Sequence, residues 1–100
     1  MVLIIITETN NERKKSMKYK YLGKDNYGKP KSDYIDKIKL MNEDELEKET
    51  KNKIWLSAWA ANNLKSDYHW HVDACYDELK NRYDNDEKYA EYFKYVYDNR

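Results

Sequence analysis

The stretch that decides the fold is 53–83, which reads KIWLSAWAANNLKSDYHWHVDACYDELKNRY. It contains all three tryptophans, both histidines and the only cysteine of the chain. The asparagine pair at 62–63 interrupts its apolar pattern, and Ser66 or Asp67 can cap a helix that follows, because short polar side chains accept hydrogen bonds from the first amides of a helix. The stretch therefore predicts the end of one helix and a second helix over 67–83.

A helix over 42–64 is predicted before this break. Asn42 is followed three residues later by Glu45, the spacing of a capping box, in which two side chains bind each other's backbone amides at the start of a helix. The second half of the segment is apolar nearly all round, a pattern typical of a helix buried on several sides. We therefore expect Trp55 and Trp59 to lie mainly in the core.

A last helix is predicted over 85–98. Asp84 and Glu87 repeat the three-residue spacing of a capping box. Apolar and aromatic residues then recur at helical spacing and predict one buried face: Tyr89, Ala90, Tyr92, Phe93, Val96 and Tyr97. Tyr95 lies off that face.

Residues 1–41 are predicted to form strands and loops. The run 2–7 is apolar and β-branched, 17–21 alternates strictly between apolar or aromatic residues and lysines, and a weaker alternation returns over 33–41. Three strands in a meander would form an antiparallel sheet. The predicted fold is therefore α+β, with a three-stranded sheet from the N-terminal half packed against about three helices, in a single domain over 1–100.

The composition limits the class of protein. The chain has 100 residues, which is room for one small core and for no deep catalytic pocket. Its formal net charge is 0, which argues against a general binder of phosphate backbones. Residues 1–39 carry ten basic against five acidic residues, and 66–100 carry nine acidic against five basic, so the two ends should present faces of opposite sign. A single cysteine requires no oxidising compartment, and the apolar run at the N-terminus is too short to span a membrane, so a cytoplasmic protein is expected.

Side chains that bind metals are concentrated in the predicted helix 67–83. His71, Cys75 and Glu78 fall on one side of it at i, i+4 and i+7, and imidazole, thiolate and carboxylate can all bind zinc. A histidine beside a cysteine is also the pairing of a thiol nucleophile. The structural interpretation is commoner, because Cys75 lies in the core stripe and free cysteine is usually buried. Since no recognised catalytic motif is present, we expect no enzyme and no cofactor, with a metal-dependent enzyme centred on His71 as an alternative.

Trp70 indicates a binding surface. It lies almost opposite the core stripe of its helix, so it is either covered by the preceding helix or left partly exposed, and exposed tryptophans are favoured anchors in protein interfaces. Acidic residues and one more tyrosine would extend it into an aromatic, negative surface suited to a basic partner. The predicted partner-binding residues are Trp70, Asp73, Asp77, Asp84, Asp86, Glu87 and Tyr95.

Lysines interleaved with tyrosines in the N-terminal half support a second alternative, a nucleic-acid-binding accessory protein. On a sheet they could supply phosphate contacts and stacking rings for a single strand. The residues concerned are Lys18, Lys20, Lys24, Lys29 and Lys31. Lysines also prevent the edges of sheets from pairing, so a solvated sheet face is the other interpretation.

The amino-acid composition resembles that of a group of proteins, although the sequence contains no motif of that group. Sixteen lysines, ten asparagines and eleven tyrosines against three arginines are typical of AT-rich coding sequence, as in low-GC Gram-positive bacteria and their phages. A compact, neutral domain from that setting is similar in type to phage-encoded anti-defence proteins, including anti-CRISPR inhibitors. The resemblance implies a protein-binding inhibitor in the bacterial host cell. Its partner would be a host or defence-system protein, such as an RNA-guided nuclease of the Cas9 type, whose nucleic-acid channel an acidic, aromatic face would occupy.

Overall fold

The computed structural model describes residues 20–99, and this part of the chain is all-helical. Its elements are α1 (Lys31–Lys39), α2 (Glu43–Trp59), α3 (Asp67–Tyr83) and α4 (Glu87–Asp98). Within 20–99 there is no strand, and a single antiparallel bridge joins Lys24 to Pro30 in the loop before α1. The predicted α+β fold with a three-stranded antiparallel sheet is therefore wrong.

The predicted third strand, 33–41, shows why the sheet was inferred. It is helical because Ile35 and Ile38 are three residues apart, so both face the core from one side of α1, and both are fully buried. Pro30 stands immediately before the helix, and Lys37 and Lys39 occupy its last turn, where cations interact favourably with the helix dipole. A short apolar run fits helix and strand almost equally well, so its alternation with lysines misled the prediction.

The other two predicted strands fall mostly on residues that the structure does not describe. The strand predicted over 2–7 lies wholly outside the described residues, and so does the strand over 17–21 up to residue 19. Lys20 is helical and Tyr21 lies in a turn, so neither belongs to a strand.

Helix α2 begins with the capping box that the sequence predicts. Asn42 Oδ1 accepts from the backbone amide of Glu45 at 2.9 Å, and Glu45 Oε1 accepts from the amide of Asn42 at 2.9 Å. The buried stripe of α2 is Leu46, Thr50 and Ile54. The helix ends at Trp59, five residues before the predicted end at 64.

Helix α3 has the bounds predicted for it and lies at the centre of the fold, in contact with the three other helices. Ser66 Oγ accepts from the amide of Tyr68 at 3.3 Å at its start. At its end, Asp84 adopts a left-handed conformation with φ 57°, which closes the helix as a C-cap. Helix α4 follows after three residues, and Asn85 Oδ1 accepts from the Glu87 amide at 3.0 Å in place of the predicted Asp84–Glu87 capping box.

The core is formed where α3 meets the other helices. Its buried apolar side chains are Tyr21, Ile35, Ile38, Leu46, Ile54, Ala74, Cys75, Leu79, Tyr92 and Val96. Truncating a buried Ile or Leu to Ala removes about 2–5 kcal/mol, so these positions set the stability of the fold.

Arg82 ties the end of α1 to α3. Its Nη2 donates to the carbonyls of Ile38 at 3.1 Å and Met41 at 2.7 Å, at and just beyond the C-terminal end of α1. Its Nε donates to Glu78 Oε2 at 2.7 Å, and this pairs the buried carboxylate of α3.

Candidate functional surfaces

A cluster of four aromatic rings joins α1 to α3. Tyr34 stacks on His71 with ring centroids 4.1 Å apart and meets Trp70 edge-on at 5.5 Å. Tyr21 also packs against Trp70, with ring centroids 5.9 Å apart. Trp70 is thus half-buried, covered by Tyr21 and α1 rather than by the preceding helix, and its Nε1 donates to Asp67 Oδ1 at 2.9 Å.

Below these rings lies a chain of hydrogen bonds. The Tyr34 hydroxyl donates its proton to Glu49 Oε2 at 2.6 Å, so the 3.4 Å contact with Cys75 Sγ has the thiol as donor and the hydroxyl oxygen as acceptor. Lys53 Nζ lies 3.2 Å from the same Glu49 oxygen. Burial disfavours the Glu49 carboxylate, but the Tyr34 hydrogen bond and the Lys53 ammonium outweigh it and lower its pKa. Glu49 is therefore ionised.

The electrostatics of Cys75 do not suit a nucleophile. Burial raises the pKa of its thiol, and the hydrogen bonds to Tyr34 and Thr50 do not reverse this. The thiolate is the reactive form of cysteine, so a buried thiol held neutral is inert. The Cys–His alternative therefore has no support in this geometry.

The alternative metal-binding set does not converge. The region 20–99 holds no group of three His, Cys, Asp or Glu side chains placed to bind a metal ion. Glu78 is bound to Arg82, Cys75 to Tyr34, and His71 stacks on Tyr34. Burial, reinforced by the Lys53 charge, lowers the pKa of His71 to about 4, so the ring is neutral at physiological pH.

The predicted acidic surface is largely engaged within the molecule. Asp77 Oδ2 accepts from the hydroxyl of Tyr21 at 2.6 Å and from Lys20 Nζ at 3.1 Å. Asp86 Oδ1 accepts from the Tyr76 hydroxyl at 2.7 Å. These carboxylates serve as acceptors for tyrosines that need a partner for their hydroxyls.

The seven predicted partner-binding residues do not share one face. Asp73 and Asp77 lie one turn apart on α3, and Asp84, Asp86 and Glu87 lie at the connection between α3 and α4. Trp70 faces α1 through Tyr34, whereas Tyr95 faces α2, where Lys51 Nζ lies 4.0 Å from its ring centroid.

The lysines of the nucleic-acid alternative are also dispersed. Lys18 lies outside the described residues. Lys20 pairs with Asp77, and Lys31 lies over the Trp70 ring with Nζ 5.2 Å from its centroid. Lys24 and Lys29 flank an exposed loop instead of a sheet face.

The exposed tryptophans of α2 are the feature that the sequence prediction missed. Trp59 is 75% exposed and Trp55 is 42% exposed, and their ring centroids are 5.6 Å apart. Tyr95 of α4 is 55% exposed, and it contacts Lys51, which lies one turn before Trp55. We call Trp55, Trp59 and Tyr95 the tryptophan stripe.

The sequence contained a signal for this stripe. At 100° per residue, Trp55 and Trp59 lie about 140° and about 180° from Thr50, the middle residue of the buried face. The prediction that both tryptophans lie mainly in the core rested on the apolar character of the whole helix and did not use that spacing. Both side chains are exposed in the fold.

A serine–histidine pair joins the last turns of α2 to the first turn of α3. Ser57 Oγ is 2.6 Å from His69 Nδ1, while His69 Nε2 faces the carbonyls of Ala60 at 3.1 Å and Asn63 at 2.9 Å. Two acceptors at Nε2 place the proton there, so in the neutral ring Nδ1 accepts from the serine hydroxyl. The pair therefore satisfies carbonyls at the end of α2 and fixes the turn to α3.

Comparison of this chain with protein-family models, with curated proteins and with solved structures found no match. None of the helices in 20–99 is long and apolar enough to cross a bilayer.

Proposed function

We propose that the protein acts by binding another protein through the tryptophan stripe. The observation that carries this proposal is the pair Trp55 and Trp59, adjacent on one helix and left in solvent. Tryptophan and tyrosine are enriched among the few residues that carry most of the binding energy of protein interfaces, and exposed apolar patches mark interaction sites.

The surroundings of the stripe resemble the periphery of an interface. Exposed polar residues border it: Lys48 and Asn52 on α2, and Glu91 and Asp98 on α4, one turn before and after Tyr95. An aromatic centre with a polar rim is the usual anatomy of a protein–protein contact. Lys51 is paired with Glu47 at 2.6 Å, so it adds no unbalanced charge at the centre.

The stripe replaces the predicted surface around Trp70 in this proposal. Trp70 is half-buried and hydrogen-bonded, so it offers a partner little free aromatic area. Asp77 and Asp86 each accept a tyrosine hydroxyl, and a partner would have to displace those bonds to use them.

The target class that we propose is a bacterial defence nuclease, and the mode of action is stoichiometric inhibition. One feature supports it: the composition, rich in lysine, asparagine and tyrosine and poor in arginine, is typical of AT-rich phage genes.

The test is capture followed by inhibition. Tagged wild-type protein is incubated with lysate of a low-GC Gram-positive host, the retained protein is identified, and its activity is titrated with purified inhibitor. We expect a retained nucleic-acid enzyme whose activity falls to zero at a molar ratio near one. Retention without any loss of activity would contradict inhibition, and retention that is equal for Trp59→Ala would contradict the stripe.

A further inference from the structure

The loop before α1 presents a tyrosine ring between lysines. Tyr27 is 88% exposed, the most exposed of the aromatic side chains between residues 20 and 99. Lys24 and Lys29 flank it, both exposed. This loop belongs neither to the core nor to the tryptophan stripe, so its exposed ring needs an account of its own.

The loop is rigid because its polar groups are bonded to one another. The amide of Asp25 donates to the Lys29 carbonyl at 2.7 Å, and Asp25 Oδ1 accepts from the amides of Tyr27 and Lys29, each at 2.9 Å. Gly28 has φ +83°, a conformation that side-chain-bearing residues rarely adopt, and it closes the turn after Tyr27.

The loop is also fastened to the start of α3. The amide of Asn26 donates to Asp67 Oδ2 at 3.0 Å, and Asn26 Nδ2 donates to the carbonyl of Lys65 at 2.8 Å. The Tyr27 ring is thus held in one place, and a ligand that stacks on it loses little entropy in ordering it.

The charge of this region is positive. Four lysines lie in or beside the loop: Lys24, Lys29, Lys31 and Lys65. Two aspartates beside these lysines have oxygens committed to hydrogen bonds, Asp25 to two backbone amides and Asp67 to Asn26 and Trp70. Lys24 and Lys65 make no ion pair with any residue in the described part of the chain, so they are available to an anion.

We propose that this loop binds single-stranded nucleic acid, with Tyr27 stacking on a base and Lys24, Lys29 and Lys65 contacting phosphates. An exposed ring beside unpaired cations is the arrangement by which proteins bind single strands without reading sequence. The charge complementarity excludes a basic protein as the occupant. A planar base needs to cover only one face of the ring, and this suits a ring that stands in solvent. A partner protein would have to enclose the ring in a pocket.

The proposal is tested by fluorescence anisotropy of a labelled oligothymidine at low salt. Tyr27→Ala should weaken binding about fivefold or more, the loss of one stacked base, whereas Tyr27→Phe retains the ring and should stay within about twofold of wild type. Lys24→Ala with Lys29→Ala should weaken binding and reduce the slope of log K against log salt by about 0.7 for each phosphate contact removed. The matched controls are Tyr95→Ala and Lys48→Ala with Lys94→Ala, which change the same residue types on other faces.

Several outcomes would overturn the proposal. One is that the wild-type protein fails to bind the oligonucleotide, and a second is that Tyr27→Ala binds it as tightly as wild type does. A third outcome is displacement of the oligonucleotide by polyglutamate at equal charge, which would identify a general polyanion site. The proposal is separable from the proposed function, because the loop variants should still capture the partner protein and the Trp59→Ala variant should still bind the oligonucleotide.

Discussion

The hydroxyl of Tyr34 and the carboxylate of Glu49 are joined by a 2.6 Å hydrogen bond that connects α1 to α2. A hydrogen bond to a charged group contributes about 1.5–3 kcal/mol, and the side chain of Glu49 is only 14% exposed. Tyr34→Phe removes the hydroxyl and keeps the ring, so we expect it to lower the free energy of unfolding by about 1.5–3 kcal/mol. Urea denaturation measures this, with the exposed Tyr27→Phe as a control that should be unchanged. Equal stability of the two variants would contradict the role of this bond.

His71 gives the fold a pH dependence. Burial and the Lys53 charge lower its pKa from 6.5 to about 4, so the folded chain binds fewer protons than the unfolded chain between these values. The contribution of His71 to the free energy of unfolding is therefore fully present above about pH 6.5 and is lost as the pH falls towards 4. The loss is at most about 3 kcal/mol, and it is smaller where water reaches the half-buried ring. Protonation of Glu49 affects stability only at a lower pH, because its pKa lies below the usual 4.5.

His71→Phe tests this dependence, because it keeps a ring stacked on Tyr34 and removes the titrating nitrogen. We expect the variant to lose the fall in unfolding free energy between about pH 6.5 and 4 that wild type shows. Denaturant titrations at several pH values measure it. The same slope in both proteins would mean that another group causes the effect.

Arg82 and Glu78 form the pair whose loss should cost most outside the apolar core. Arg82→Ala leaves the Glu78 carboxylate buried without its cation and removes the Arg82 hydrogen bonds to the carbonyls of Ile38 and Met41, so we expect a loss of about 3–5 kcal/mol. Adding Glu78→Leu removes the buried charge and should restore part of that loss. Lys80→Ala on the same helix is the control, with an expected change within about 0.5 kcal/mol. A double variant no more stable than Arg82→Ala alone would contradict the account of the pair.

Truncation of Trp59 tests whether its side chain is exposed, as in the structure, or buried in the core, as the sequence predicted. A core tryptophan would cost about 3–5 kcal/mol when truncated to Ala, whereas an exposed one should change stability by no more than about 0.5 kcal/mol. We expect Trp59→Ala to unfold at nearly the wild-type denaturant midpoint, and Ile54→Ala, five residues earlier on the same helix, to lose about 2–5 kcal/mol. A large loss for Trp59→Ala would place the side chain in the core.

Local signals in the sequence predicted the helices α2, α3 and α4. The Asn42–Glu45 spacing marks the start of α2 because both hydrogen bonds of a capping box are local, and Ser66 marks the start of α3 for the same reason. Residues 33–41 were assigned to a strand because their short run contains both periods, and burial of Ile35 and Ile38 against α3, which decides between them, is a long-range effect.

The candidate sites were predicted less well for a related reason. Whether an aspartate is available to a partner depends on which tyrosine reaches it in the fold, as Tyr21 reaches Asp77 from 56 positions away. The spacing of Trp55 and Trp59 relative to Thr50 was visible in the sequence. Which face of α2 is buried was not, because that depends on long-range packing against α3 and α4.

The most direct test of the tryptophan stripe is the affinity of the captured partner for two variants, measured by isothermal titration calorimetry. Trp59→Ala removes the most exposed anchor of the stripe, and Asp73→Lys reverses an exposed charge on the predicted acidic face. We expect Trp59→Ala to lose at least about 2 kcal/mol of binding free energy, roughly thirtyfold in Kd, and Asp73→Lys to bind within about threefold of wild type. Wild-type affinity for Trp59→Ala, together with loss of binding by Asp73→Lys, would contradict the account and return the docking surface to α3.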